Sequence, residues 1–380
     1  MGKCRNVDKL RWRFVAAVFV ISRLWTALFV YIGHLSHIYL EPIPGGWSGV
    51  HNWWLNPWTT FDSYHFVNIA LHSYAPRSVN FFPLYPFLLS LAGNNIIVLA
   101  AWGVAVSNLT FLLALFYFYN LTRLDCNARL ARIAVLALAF FPTTAFFSAV
   151  YSESLFLLVS VAAFYYVRKN CWMAAAFCAA LAALTRNSGI LLAVMLALEW
   201  WHAKRRKITV SKAAWLTPLA PVVAFIAFQG FIAQRFGGLL YGVQAQKMFE
   251  RHLTWPWTPL YLDLINLFPA GTFHPDAIVN VAIAILVFLV VWRCWKKFPV
   301  SYSVFVLGID LMNLCYSWIN WPHAASSARF QMATFPFSEM LASEVGVIWK
   351  RRLSRILITI IYLSICAIMC WLFGKKSFIG

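Results

Sequence analysis

Long apolar segments separated by short basic ones are the feature that most constrains how this 380-residue chain folds. A membrane-spanning helix needs about 20 mainly apolar residues, because backbone groups without hydrogen bonds are costly in hydrocarbon. The sequence therefore predicts one domain over residues 1–380, an all-α polytopic membrane protein with about eleven transmembrane helices. The clearest apolar runs are 14–33, 96–119, 133–150, 213–234, 277–292 and 356–373, with shorter ones at 155–167, 171–185, 188–201, 301–320 and 330–348.

The composition argues against a soluble protein and against a nucleic-acid-binding protein. Hydrophobic residues make up 62% of the chain and charged residues only 11%, which leaves too little polar surface for a soluble domain of this length. The formal net charge is +19, but the basic residues fall in short clusters between the apolar runs. This placement is typical of contacts with anionic lipid headgroups, so we expect membrane lipids as partners and no nucleic acid.

The basic residues also predict the orientation of the chain. With a cytoplasmic N-terminus, the predicted cytoplasmic segments hold 22 of the 31 lysines and arginines, as the positive-inside rule requires. Two long outer loops result, at about 34–95 and 235–276. The stretch 81–92 is too short to cross, so we expect a re-entrant or interfacial piece there. The cytoplasmic segments are the N-terminal tail, 120–132, 168–170, 202–212, 293–299 and 350–355.

The first outer loop contains one aspartate, Asp62, surrounded by aromatic residues. The aromatics fit either an interfacial belt or a platform for a sugar. A carboxylate among aromatics loses solvation, which raises its pKa and makes it a better base. The apolar pattern from residue 61 predicts a short amphipathic helix with Asp62 and His65 on neighbouring turns. The aromatics are Trp53, Trp54, Trp58, Phe61, Tyr64 and Phe66.

An ordered set of motifs resembles the PIG-V type mannosyltransferases of the GT-C class. The resemblance implies a GT-C-like bundle and a polyprenyl- or dolichyl-phosphate-mannose donor, used on the non-cytoplasmic face. Two positions depart from the family pattern, because Phe61 and Phe249 stand where tryptophan is expected. The motifs are Ser22-Arg23, residues 61–70 with Tyr74, Asn80 to Pro86, Tyr151 to Phe156, Thr185 to Gly189, Ala245-Gln246 with Arg251, Ser327 to Phe330 and Phe335-Pro336.

The reaction that the resemblance implies needs one base and a cation for the leaving phosphate. Asp62 is our candidate base, and by analogy with the GT-C class this aspartate is the catalytic one. Because the leaving group is already an acidic lipid phosphate, no general acid is required. Arg186 and Arg329 are the candidates for binding the donor phosphate, and an interfacial arginine is the alternative interpretation of each.

Five further residues are candidates for binding substrate. Glu153 could instead orient an arginine or act as a helix N-terminal charge. Arg251 and Lys247 are further candidates for the donor phosphate, and a solvated loop charge is the alternative interpretation of each. No histidine or carboxylate spacing is typical of a metal site, so we expect neither metal nor cofactor. The candidates are Tyr64, His65, Glu153, Gln246 and Arg251.

Three charged residues fall within predicted spans, where an unpaired charge costs about 2.5–3.5 kcal/mol. We expect Arg23 to pair with Asp310 or with Glu339, although a polar wall of a lipid-donor groove is an alternative.

Other functions remain open from the sequence. A transporter or lipid flippase has the same bulk composition, but no pseudo-symmetric halves are visible. A structural membrane subunit would not require Asp62. Transfer of another lipid-linked sugar, such as glucose or arabinose, is the alternative within the GT-C class. The expected acceptor is a glycolipid or glycan, and for a prokaryotic member it could be a glycolipid, a polysaccharide or a protein. A prokaryotic member would work at the plasma membrane with an outward-facing site, and a eukaryotic one in GPI-anchor biosynthesis at the ER membrane.

Overall fold

The fold is almost entirely helical. The computed structural model of the protein describes residues 2–36, 50, 52–238, 241–265, 275–318, 326–348 and 352–376. In these ranges the helices are α1 (Gly2–Leu35), α2 (Ser63–His72), α3 (Leu84–Ser90), α4 (Ile96–Asp125), α5 (Ala128–Ala139), α6 (Glu153–Arg168), α7 (Trp172–Ala183), α8 (Leu191–Arg205), α9 (Leu219–Phe236), α10 (Tyr241–Gln246), α11 (Trp257–Ile265), α12 (Pro275–Cys294), α13 (Val300–Leu314), α14 (Ser327–Met332), α15 (Phe335–Ile348) and α16 (Arg352–Gly374). The strands β1 (Arg251–Leu253) and β2 (Tyr316–Trp318) pair antiparallel.

Four helical segments are long and apolar enough to cross a membrane, and they coincide with four of the predicted spans. Three shorter apolar helices accompany them, at Trp172–Ala183, Ile278–Cys294 and Val300–Leu314. The total of about eleven spans stays a prediction. The four segments are Arg11–Leu35, Ile96–Asp125, Lys212–Phe236 and Leu353–Gly374.

Three predicted runs are not the continuous helices that their hydropathy indicated. Helix α5 ends at Ala139, and a 3-10 turn follows at Thr144–Phe147, because Pro142 disfavours helical geometry at the residue before it. The run 301–320 ends as a helix at Leu314 and continues as β2, whose hydrogen-bond partner is β1. The run 330–348 is divided between α14 and α15.

The first outer loop contains two short helices. Helix α3 lies within the predicted piece 81–92, and its seven residues extend only about 10 Å, too short to cross. Helix α2 lies where the amphipathic helix was predicted, with Phe66, Val67 and Ile69 buried. Its location at a membrane surface stays a prediction.

Helices α1 and α16 pack closely because glycines face the contact. A β-carbon at Gly33 would lie 2.1 Å from the Trp371 carbonyl oxygen, and one at Gly374 would lie 2.0 Å from the Val30 carbonyl oxygen. The neighbouring Phe373 ring packs against Phe146, with ring centres 5.1 Å apart. The last helix is thereby held against the 3-10 turn that supports the functional site.

The predicted pairing of Arg23 with Asp310 or Glu339 is wrong. The Arg23 guanidinium donates to the Ala139 carbonyl oxygen (3.1 Å) and to the Thr144 hydroxyl (2.6 Å) and carbonyl oxygens (3.2 Å). The break after α5 frees these acceptors from helical hydrogen bonding. Asp310 accepts instead from the Gln331 amide at 3.2 Å, and Glu339 from the Cys126 thiol at 3.8 Å.

A second buried ionic cluster lies at the far end of α6. Arg168 pairs with Asp125 at 2.6 Å and with Glu199 at 2.7 Å, and the Tyr302 hydroxyl donates to Asp125. Glu153 and Arg168 are fifteen residues apart on α6, which corresponds to about 22 Å. This cluster is therefore well separated from the candidate active site that contains Glu153. It ties α8 to the last residues of α4 and α6 and to the first turn of α13.

Candidate active site

Two carboxylates and two arginines from four distant segments form one continuous series of ion pairs. Oδ2 of Asp62 lies 2.6 Å from Nη1 of Arg329, whose Nε lies 2.5 Å from Oε1 of Glu153. The same Glu153 oxygen lies 2.6 Å from Nη1 of Arg186. Glu153 is fully buried, whereas the Asp62 side chain is 29% exposed. Asp62 is therefore the end of the series that an incoming molecule can reach.

The backbone around Asp62 is held in an unusual conformation. Phe61 has a positive φ of 54°, a left-handed geometry that costs a bulky residue of order 1–3 kcal/mol. The Tyr151 hydroxyl bridges this residue: it donates to the Thr60 carbonyl oxygen at 2.9 Å and accepts from the Asp62 N–H at 3.2 Å. Tyr151 thus fixes the backbone of the candidate base just before α2 begins.

Aromatic rings hold the two arginines in place. The Arg329 guanidinium carbon lies 4.6 Å from the ring centre of Tyr151 and 4.9 Å from that of Phe146. The Arg186 guanidinium carbon lies 4.8 Å from the Phe330 ring centre. Stacking of this kind favours the flat guanidinium group and restricts its rotation. Both cations are therefore positioned before any ligand binds.

A polar cavity of about 170 Å³ opens beside the ion pairs. Its lining combines charged, amide and aromatic side chains, which is the combination needed to bind an anionic group and a sugar. Asp62, Arg186, Arg251 and Arg329 supply the charges. The amides come from Asn80, Asn187 and Gln246, and the aromatic rings from Phe66, Phe81, Phe82, Phe249, Trp318 and Phe330.

Arg251 enters the cavity from β1. Its Nη2 donates to the Tyr316 carbonyl oxygen at 3.2 Å, and its guanidinium carbon lies 5.8 Å from the Trp318 ring centre. The buried Nε has no hydrogen-bond partner among the described residues. Burial lowers the pKa of Arg251 to about 10, which leaves the side chain cationic at neutral pH.

The pKa of Asp62 moves in the opposite direction from the sequence-based expectation. Burial alone would raise it, but the contact with Arg329 outweighs burial and holds the Asp62 pKa below its ordinary value of 3.8. Burial lowers the pKa of His65, and the nearby Asp62 charge opposes that effect only in part. At neutral pH the site therefore contains an ionised Asp62 next to a neutral His65.

The structure brings most of the predicted site residues together. Asp62, Arg186, Gln246, Arg251 and Arg329 line the cavity. Glu153 lies behind them and orients both Arg186 and Arg329, which is one of the three interpretations left open by the sequence.

Two predicted residues lie on α2 outside the cavity lining. The His65 ring stacks on the Phe81 ring, with 4.5 Å between the ring centres, and its centre lies 5.4 Å from that of the Phe249 ring. Tyr64 is 39% exposed. Their role in substrate binding stays a prediction.

Several lining residues and the bridging role of Tyr151 were not predicted from the sequence. Asn80 and Asn187 lie inside quoted motifs, so a signal for them was present. Trp318 gave no signal, because its strand was predicted as helix. Within the described ranges, no cluster of three or more His, Cys, Asp or Glu side chains could hold a metal ion.

Comparisons with known proteins match the chain to one family. A family model described as Mannosyltransferase (PIG-V) matches residues 34–231, more than half of the chain. A search of curated proteins finds no match.

Two solved structures match the chain, and the first of them resembles its fold. The apo oligosaccharyltransferase of Archaeoglobus fulgidus matches with a TM-score of 0.52 at 12% identity, covering 96% of this chain and 56% of that one. ArnT from Cupriavidus metallidurans bound to undecaprenyl phosphate has a TM-score of 0.49 at 11% identity, covering 95% of this chain and 76% of that one. The present chain thus spans about half the length of the archaeal oligosaccharyltransferase. The likeness to the archaeal oligosaccharyltransferase, at 12% identity, concerns the fold alone.

Proposed function

Because this chain belongs to the mannosyltransferase (PIG-V) family, we propose that it transfers mannose from a polyprenyl- or dolichyl-phosphate-mannose donor to a lipid-linked or glycan acceptor. The family and the fold support the broader statement that it is a membrane glycosyltransferase. One observation carries the mechanism: Asp62 is the exposed end of a buried series of ion pairs, at the wall of a polar cavity. We propose that the cavity faces the non-cytoplasmic side.

Asp62 is the proposed base. An acceptor hydroxyl oxygen attacks C1 of the donor sugar from the face opposite the phosphate, and Asp62 takes the hydroxyl proton. The bond between C1 and the phosphate oxygen breaks, and the lipid phosphate leaves with the electron pair. Oδ2 of Asp62 faces Arg329, and the described residues supply no partner for Oδ1, which leaves it available for the proton. Arg329 keeps the carboxylate ionised and fixes its direction.

The arginines provide positive charge near the departing phosphate. Negative charge develops on the phosphate oxygen as the C1–O bond breaks, and fixed cations in a water-poor cavity stabilise it strongly. Arg186, Arg251 and Arg329 all line the cavity and are the candidates. A phosphate leaving group needs no proton, so a single carboxylate is sufficient for this chemistry.

The neutral part of the lining suits the sugar. Asn80, Asn187 and Gln246 offer amide hydrogen bonds to hydroxyl groups, and Phe81 and Phe249 offer flat apolar faces. Recognition of individual hydroxyl groups by such contacts is what distinguishes one hexose from another. We propose that Tyr64 and His65 contact the acceptor. Both residues lie on α2, which begins beside Asp62.

A donor panel tests the proposed function. The purified protein in lipid nanodiscs is incubated with radiolabelled polyprenyl-phosphate-linked mannose, glucose or arabinose, together with a lipid extract from the source organism. We expect label to enter a new product from the mannose donor. Transfer from the glucose or arabinose donor alone would mean that the protein is a glycosyltransferase whose sugar is not mannose. No transfer from any donor would contradict the proposed function and favour a transporter.

A further inference from the structure

Three arginines line the cavity, and within the described ranges two of them have a carboxylate partner. Arg329 faces Asp62 and Glu153, and Arg186 faces Glu153, all at 2.5–2.6 Å. The charges of Arg186 and Arg329 are thus balanced within the protein by two carboxylates. Arg251 has no carboxylate within ion-pair distance among the described residues; its contacts are the Tyr316 carbonyl oxygen and the Tyr316 and Trp318 rings. The cavity wall therefore carries one excess positive charge, and Arg251 supplies it.

A buried cation without a counter-ion is costly for a protein to maintain. Desolvation penalises the charged form, and an unpaired N–H group inside the protein adds to that cost. Both apply to Arg251 in part, because the side chain is partly buried and its buried Nε has no hydrogen-bond partner among the described residues. An anion bound in the cavity would offset the desolvation cost of the cation and give the Nε–H group a hydrogen-bond acceptor.

The geometry of Arg251 suits a phosphate. Nε and the neighbouring Nη group of a guanidinium form a planar fork that binds two oxygens of a phosphate. Nε has no partner among the residues that the structure describes, and the Nη2 bond to Tyr316 together with the Trp318 ring fixes the plane of the guanidinium. The register of the strand pair places Arg251 opposite Trp318, so backbone pairing fixes the strand from which the Arg251 side chain extends.

Amide groups lie beside this fork. Asn187 and Gln246 line the main cavity, and with Arg251 they also line a smaller adjoining recess of about 40 Å³. The Asn187 side-chain oxygen accepts the Ser188 N–H at 2.8 Å, so its amide nitrogen remains a possible donor toward the cavity. Neutral donors next to a guanidinium can bind the remaining oxygens of a phosphate.

We propose that Arg251, with Asn187 and Gln246 beside it, binds the phosphate group of the lipid-linked donor. Arg186 and Arg329 then act through the carboxylates: Arg329 orients Asp62, and Glu153 holds both arginines. This assignment rests on the proposed function, since it takes a polyprenyl phosphate as the ligand. The sequence-based expectation gave the phosphate first to Arg186 and Arg329, and Arg251 was only a further candidate.

Binding of a sugar-free ligand tests the assignment separately from transfer. Thermal unfolding in nanodiscs is followed with and without polyprenyl phosphate for the wild type, Arg251→Gln and Arg251→Lys. The matched control is Arg235→Gln, because Arg235 donates to the Ser73 hydroxyl on the exposed surface and does not line the cavity. A ligand that binds only the folded protein raises its unfolding temperature, so the shift reports binding directly.

We expect polyprenyl phosphate to stabilise the wild type and Arg235→Gln equally. Arg251→Gln should bind it about 10- to 100-fold more weakly, the loss expected for a hydrogen-bonded charge pair, with Arg251→Lys in between. Without ligand, Arg251→Gln should unfold at the same temperature as the wild type or higher, because the substitution removes an unbalanced charge. This second readout separates lost binding from lost folding.

Three results would overturn the assignment. The first is equal stabilisation of the wild type and Arg251→Gln by polyprenyl phosphate. The second is inorganic phosphate binding as tightly as polyprenyl phosphate in an Arg251-dependent way, which would make free phosphate the ligand. The third is a wild type that transfers mannose but binds polyprenyl phosphate no better than Arg251→Gln. A wild type that neither binds polyprenyl phosphate nor transfers any sugar would instead remove the proposed function itself.

Discussion

Asp62 and Arg329 form an ion pair with 2.6 Å between Oδ2 and Nη1, at the point where a buried polar series meets the cavity. The pair keeps Asp62 ionised and points its carboxylate toward the space that a substrate would occupy. It also weakens Asp62 as a base, because the positive charge stabilises the form that has already lost its proton. The strength of this contact therefore controls the pH range in which the protein works.

The pH dependence of transfer should follow from this pair. Asp62 must be ionised to accept a proton, and its pKa lies below 3.8, so its protonation should limit kcat/KM of the wild type only below about pH 4. In Arg329→Gln the lowering charge is lost while burial remains, so the acid limb should move to higher pH. Arg329→Lys keeps the charge and should keep the limb near its wild-type position.

The same pair predicts the sign of the stability change. Since the Asp62 pKa is lower in the folded chain than in the unfolded one, the pair stabilises the fold above about pH 4, and this contribution is lost as pH falls through the folded-state pKa. The kinetic prediction has its own contradiction. If the acid limb of kcat/KM lies at the same pH in the wild type and in Arg329→Gln, Arg329 does not set the Asp62 pKa.

Glu153 should be important for stability, because it balances two buried arginines. In Glu153→Gln, Arg186 and Arg329 would share only the Asp62 carboxylate. Removing one partner of a buried ion pair costs about 3–5 kcal/mol. We expect a large drop in unfolding temperature, measured in detergent or nanodiscs.

Glu344→Gln is the matched control for Glu153. Glu344 also contacts two cations, Arg293 at 2.6 Å and Lys297 at 2.5 Å, but their side chains are 63% and 47% exposed. Ion pairs with exposed partners contribute only about 0–1 kcal/mol. Equal losses of stability in the two variants would contradict the view that Glu153 holds the site together.

Tyr151 should affect catalysis through the position of Asp62. Tyr151→Phe keeps the ring that packs on Arg329 and removes only the hydroxyl that bridges Thr60 and Asp62. Small displacements of a reacting group can lower rates by up to about a hundredfold. We expect kcat to fall about 10- to 100-fold with an unchanged KM for the donor.

The control for Tyr151 is Tyr362→Phe. The Tyr362 hydroxyl donates to the Ala137 carbonyl oxygen at 2.6 Å and does not line the active-site cavity. Its removal should leave kcat unchanged. If both variants retain wild-type kcat, the hydroxyl of Tyr151 does not position the base.

The sequence predicts the parts of the fold that depend on local composition. Four long apolar runs became α1, α4, α9 and α16, since hydropathy and length are sufficient to define a span. The prediction of one helical run over 301–320 was wrong in its last part, because Tyr316–Trp318 is a strand only through its pairing with Arg251–Leu253. Such a partner lies far away along the chain and leaves no periodicity within the segment.

The candidate site was predictable in its residues but not in its connections. Motifs identified Asp62, Arg186 and Arg329, yet nothing in a linear sequence indicates that Glu153 contacts both arginines. The expected rise in the Asp62 pKa was wrong for the same reason. The aromatic neighbours were visible in the sequence, whereas the arginine that outweighs them comes from α14.

The most direct test of the account is transfer by Asp62→Asn. Incorporation of radiolabelled mannose from polyprenyl-phosphate-mannose is measured in nanodiscs for the wild type, Asp62→Asn and Glu344→Gln, after unfolding curves have established that each variant is folded. We expect product from the wild type and Glu344→Gln, and at least about a hundredfold less from Asp62→Asn, as for loss of a catalytic base. A folded Asp62→Asn protein that transfers mannose as fast as the wild type would contradict the mechanism.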